Sequence, residues 1–141
     1  MNYREEMTKT MRMLGQHPDT IFMGQSVRYK GTAMFGTIKD VPDDKKIELP
    51  VAEELQMGQS IGLSLMGYIP VSLFPRMDFL LCAMNQLVNH LDKIELLSEG
   101  RYNKKVIIRT SVGGKKQLDP GLHPVGNYIE PLILMLKPIP V

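Results

Sequence analysis

At 141 residues with a net charge of +2, the chain is long enough to bury a sizeable core and fits one domain of ordinary size. Its 43% hydrophobic and 23% charged residues exclude a disordered segment, and its scattered lysines and arginines exclude the basic stripe of a nucleic-acid binder. The one cysteine, Cys82, excludes an internal disulfide and a cysteine metal site; with no apolar run of ~20 residues and a charged N-terminus, a soluble cytoplasmic protein without membrane contact is expected.

The first element is a helix over Tyr3–Gln16, where Tyr3, Met7, Met11 and Leu14 fall on one face at helical spacing. His17-Pro18-Asp19 stops it, because proline lacks a backbone donor and disfavours helix in the residue before it. Thr20–Gly24 then reads as a short buried strand. Residues 25–46 read as a long, polar, glycine-dotted loop with one weak helical patch near 35–41, and loops of that length are often functional. Residues 47–49 make a brief strand, a helix runs from Glu53 to Met66, and residues 69–74 form a strand.

The longest periodic segment is 78–97. Leu80, Met84, Leu87 and Leu91 form an apolar stripe there, Phe79, Ala83 and Val88 widen it, and Asp78 is the expected N-cap. A charged turn leads to a strand at 106–110 (VIIRT), followed by a second Gly/Pro loop over 112–127. A helix over 128–136 carries Pro131 in its first turn, and residues 139–141 begin another strand.

Strands alternating with helices predict an α/β protein, a three-layer α/β/α arrangement with a mostly parallel sheet. The strand runs IFM, VSLF and VIIR are almost continuously apolar, as a sheet covered on both faces requires. Ligands of such folds gather at the carboxyl ends of the strands. Here that edge comprises residues 24–25, 50–54, 74–79 and 111–123, which nominates Glu53, Phe79 and His123 as neighbours.

Each nominee also has an ordinary reading. Glu53 and Glu54 sit in the first turn of a helix, where negative charge gains ~0.3–1 kcal/mol from the dipole. Glu53, however, follows the apolar run Pro50-Val51-Ala52, so its carboxylate is expected to be partly buried and suited to sharing a proton. Gly58 and Gly62, four apart, let another backbone approach, usually for helix packing. Read alone, Phe79 is a core aromatic and His123 a surface loop residue. His17, His90 and His123 lack ligand spacing, and neither a Walker loop nor GxGxxG occurs, so no metal site is expected within the chain.

LPVAEELQMGQSIGLSLMGYIPV resembles the pyrimidine-binding domain of thiamine-diphosphate enzymes, closest to the beta subunit of 2-oxo-acid dehydrogenases and to transketolase. That family's pattern is a Pro-hydrophobic-small-Glu turn, a glycine-bearing helix, then Gly-x-x-Pro-Val. YREEMTKTMRMLGQHPDTIFMGQSV is similar to its opening helix and first strand, FLLCAMNQLVNHLDK to its long helix, and VIIRTSVGG to the strand before its glycine-rich loop. GLHPVGNY stands where the family has a loop histidine.

The resemblance implies a thiamine-diphosphate-binding fold and assigns roles. Glu53 would hydrogen-bond a ring nitrogen of the cofactor's aminopyrimidine and favour its imino tautomer, so that the cofactor's reactive carbon loses its proton. Phe79 would stack on the pyrimidine, and His123 would face the substrate. Pro124 stands where the dehydrogenases usually have serine, the preceding loop GGKKQLDP is more charged than theirs, and Glu54 and Leu55 replace a small residue and a frequent glycine. The Gly-Asp-Gly…Asn motif that holds magnesium and diphosphate is missing from the chain, as is the C-terminal domain of the beta subunit. The implied protein is therefore one half of a heteromeric enzyme, a homo- or hetero-oligomer inactive alone. A partner subunit would carry the diphosphate-binding domain and Mg2+, and residues 78–97 are the candidate interface. Two alternatives stand beside it: a non-catalytic regulatory or assembly subunit that keeps the fold, and a flavodoxin-like binding module. Gly24-Gln25-Ser26-Val27-Arg28 is a poor phosphate loop for the second.

Overall fold

The computed structural model describes residues 2–114 and 125–141. Helix α1 spans Tyr3–Gln16, capped by the Asn2 side chain, which accepts from the Arg4 amide. The stop at His17-Pro18 holds as read, and β1 occupies Thr20–Gly24. The following stretch is more ordered than a loop. A Thr32 cap starts α2 over Ala33–Ile38, and a 3-10 turn at Asp43–Lys45 leads into β2 at Lys46–Glu48. Helix α3 (Glu53–Leu65) and β3 (Ile69–Leu73) complete the central unit. The strands β1, β2, β3 and β4 (Ile107–Arg109) form one parallel sheet in the order β2-β1-β3-β4.

Alternation along the strands sorts side chains to two cores. Phe22, Val71 and Leu73 bury against Met11, Met34 and Ile38 of α1 and α2. On the other face, α3 supplies Met57 and Ile61 to a cluster with Phe74, Leu80, Leu87 and Leu132. Helices therefore cover both faces of an all-parallel sheet, the expected three-layer α/β/α fold. On the α3 face the core is partly polar: Gln56 Nε2 donates to Ser72 Oγ at 2.9 Å and to the Leu73 carbonyl at 3.1 Å.

Three local expectations fail. The 78–97 segment is not one helix: α4 (Met77–Leu80) tightens to 3-10 at Leu81–Ala83, widens to a π-helix over Asn85–Leu91, and ends in α5 (Ile94–Leu97). Asp78 is not its N-cap. Arg76 holds that position, and the Asp78 carboxylate turns instead to the Gly126 amide at 3.3 Å and the Tyr128 hydroxyl at 3.5 Å. Residues 139–141, beyond helix α6 (Ile129–Met135), form no strand. The buried Asp92 carboxylate draws in the amides of Lys137 and Ile139, and prolines at 138 and 140 remove the donors a ladder needs.

Candidate active site at the carboxyl edge of the sheet

Strand register sets the geometry. Glu48, Gly24, Leu73 and Arg109 lie in one row across the sheet at its carboxyl end. The chain runs from β1 outward to β2, then crosses to β3 on the other side of β1, so connections diverge at β1 and open a crevice above it. Gly24 closes the row at a φ of +146°, and a Cβ there would fall 2.2 Å from the Leu73 carbonyl oxygen. No side chain fits, so the crevice floor is bare backbone.

Glu53 stands at this edge as the first residue of α3, with only 9% of its surface exposed. No side chain caps the helix, and Glu53 and Glu54 in its first turn put negative charge near its unpaired amides. Glu53 Oε1 accepts a hydrogen bond of 2.9 Å from Gln25 Nε2, and Oε2 takes none among the described residues. A sheltered carboxylate with one oxygen fixed and the other uncommitted can exchange a proton with a bound ring nitrogen. Gln25 is a partner that the sequence reading passed over. Its position directly after β1, beside a strand end, was the available signal.

Glu54 looks outward, accepting from Asn85 Nδ2 at 3.0 Å and Gln86 Nε2 at 3.4 Å. Those two amides hold its pKa below the ordinary glutamate value. Phe79, half-buried in α4, lies six residues beyond the end of β3, on the same edge of the sheet as Glu53. His123 lies outside the described residues. Beyond it in the chain, the Gly126 amide donates to Asp78 at 3.3 Å and the Tyr128 amide to the Met77 sulfur at 3.0 Å.

A comparison with known proteins finds beta subunits of 2-oxo-acid dehydrogenases. The pyruvate dehydrogenase E1 component subunit beta of Cyanidium caldarium is 30% identical over 109 residues, covering 74% of this chain and 33% of that protein. This chain is homologous to 2-oxo-acid dehydrogenase beta subunits. The 2-oxoisovalerate dehydrogenase subunit beta of Bacillus subtilis is 25% identical over 118 residues, 81% of this chain and 36% of its own length. The chloroplastic pyruvate dehydrogenase subunit beta-3 of Arabidopsis thaliana is 29% identical over 108 residues, 74% of this chain and 27% of its own. No family model matches. The chain thus spans about a third of the length of these beta subunits, and the α/β/α fold with its parallel sheet is that of their transketolase-like pyrimidine-binding domain.

Of what an aminopyrimidine would need, the described residues offer a buried carboxylate with one open oxygen, at the sheet edge where Gly24 leaves a bare floor. They offer no cluster of three His, Cys, Asp or Glu side chains able to hold a metal ion. No helix among them is long and apolar enough to cross a membrane.

Proposed function

We propose that the chain is a single transketolase-like pyrimidine-binding domain forming half of a heteromeric thiamine-diphosphate enzyme in the cytoplasm. It acts on 2-oxo acids or ketoses, by decarboxylation or by ketol or acyl transfer. The observation that carries this reading is the half-committed Glu53 carboxylate, sheltered where the parallel sheet opens.

In this reading Gln25 fixes the Glu53 carboxylate, and its second oxygen holds a proton between itself and a pyrimidine nitrogen. Low local polarity strengthens that exchange, because water would compete for the same hydrogen bond. When bound, thiamine diphosphate supplies the reactive carbon and the electron sink. Phe79 lends a flat face to the ring and so fixes its tilt. His123 is assigned to the substrate side. The Mg2+ and diphosphate contacts fall to the partner subunit, whose seam runs along the π-helical segment, where Asn85, Asn89 and His90 are exposed.

Reconstitution tests the reading. The chain is mixed with a candidate diphosphate-domain subunit, thiamine diphosphate and Mg2+, and 2-oxo-acid or ketose turnover is followed. Turnover is expected only when both proteins are present; turnover by the partner alone at the rate of the mixture refutes it.

A further inference from the structure

Strand β1 ends at Gly24, and the residues after it, Gln25-Ser26-Val27-Arg28, make the turn that carries the partner of Glu53. Ser26 has a φ of +63°, in the left-handed region that a residue with a side chain keeps only where its surroundings fix it. The fixing group is Glu48, which stands opposite Gly24 at the end of β2. Its Oε1 accepts from the Ser26 amide and its Oε2 from the Arg28 amide, both at 2.7 Å. A carboxylate on backbone donors makes short, charge-assisted bonds, stronger than neutral ones.

Other bonds tie the same two segments together. Arg28 returns its Nε to the Lys46 carbonyl at 3.0 Å and its Nη2 to the Asp43 carbonyl at 2.9 Å. The Leu49 amide donates to the Gly24 carbonyl at 3.0 Å. Gln25 is therefore pinned on both sides, at the Gly24 carbonyl and the Ser26 amide, while its half-buried side chain reaches Glu53 Oε1 at 2.9 Å. A flexible glutamine side chain is aimed by where its backbone is held. Glu48 also begins the connection that ends at Glu53, so chain and hydrogen bonds close a ring. The ring runs from Glu48 along the backbone to Glu53, across to Gln25, on to Ser26 and back to Glu48. Glu48 is exposed with both oxygens committed to the turn, so its effect on the crevice passes through Gln25.

We propose that Glu48 is a positioning residue for Glu53: its carboxylate fixes the turn at 25–28, aims the Gln25 amide at Oε1 and so keeps Oε2 the uncommitted oxygen. The inference rests on the proposed function only in calling Glu53 the proton partner.

The first measurement is made on the full chain alone. NMR follows the Gln25 Nε2 protons and their nuclear Overhauser contact with the Glu53 γ-methylene protons. The contact is expected in the parent chain, lost in Glu48→Gln, and kept in Asp44→Asn, a change at an exposed carboxylate in the turn before β2. Glutamine at 48 keeps the side-chain volume but sets an NH2 group against one of the two amide donors. The second measurement uses the complex with the diphosphate-domain subunit. Glu48→Gln and Gln25→Ala should each lower kcat ~10-fold, as misplacement of a reacting group does, with KM within about twofold of the parent value. The double variant should fall no further than Gln25→Ala alone, because Glu48 acts through Gln25. A residue that only holds the fold together would leave the contact in place and multiply with Gln25→Ala. No contact in the parent chain, an intact contact in Glu48→Gln, or multiplying effects in the double variant overturns the proposal. Should Glu48→Gln fail to fold, Glu48→Asp, whose carboxylate stops one methylene short of the two amides, decides by the same contact. The contact also decides this inference where the parent complex shows no turnover, an outcome that refutes the proposed function alone.

Discussion

Glu53→Gln in the reconstituted complex is expected to lower kcat by ~100-fold or more, since loss of a positioned proton partner has that scale. The substitution separates chemistry from structure. Glutamine keeps the volume of the buried side chain and still offers an oxygen to Gln25 Nε2, but it cannot hold an exchangeable proton against a ring nitrogen. Folding and assembly should therefore persist while turnover collapses. The measurement pairs steady-state kinetics with a thermal melt of the same sample. A kcat within about threefold of the parent protein, at unchanged melting temperature, shows that Glu53 is a helix-dipole residue and nothing more.

Gly24→Ala should destabilise the chain by ~3 kcal/mol or more, enough to unfold a domain of ordinary marginal stability. Two costs combine. The φ of +146° is one that side chains rarely adopt, and the new Cβ would be driven into the Leu73 carbonyl at 2.2 Å. Relief requires β1 and β3 to part at the crevice floor, breaking the pairing that sets the site. Gly62→Ala is the matched control. It lies inside α3, and an added methyl group there would have nothing within 4 Å, so helix propensity should stabilise the variant by roughly 0.5–1 kcal/mol. Urea unfolding of both variants reads the difference, and equal midpoints would contradict the account of the crevice floor.

Much of the layout was legible because strong local signals coincide with tertiary structure. The bounds of α1 and β1 follow from the apolar spacing, the His17-Pro18 stop and Gly24; Glu53 is buried as expected, but not by the Pro50-Val51-Ala52 run, of which Pro50 and Val51 are themselves exposed. The 78–97 segment shows the limit. Its apolar stripe does pack, through Leu80, Leu87 and Leu91, yet side-chain spacing does not distinguish 3-10, α and π hydrogen bonding over a few turns. Asp78 is a residue type that caps helices, but a segment 48 residues away offered its carboxylate a partly buried amide. The Gln25–Glu53 pair was invisible for a related reason. Gln25 in isolation is one more polar residue after a strand, and only the folded chain brings it within 2.9 Å of Glu53, 28 residues further on.

Cofactor binding measured by calorimetry tests the central claim without requiring the substrate to be known. Thiamine diphosphate with Mg2+ is titrated into this chain, into a candidate diphosphate-domain subunit, and into their equimolar mixture. The account predicts saturable binding in the mixture that is at least ~10-fold tighter than either protein shows alone, a gain of about 1.4 kcal/mol. A mixture that binds the cofactor no better than the partner subunit by itself would contradict it.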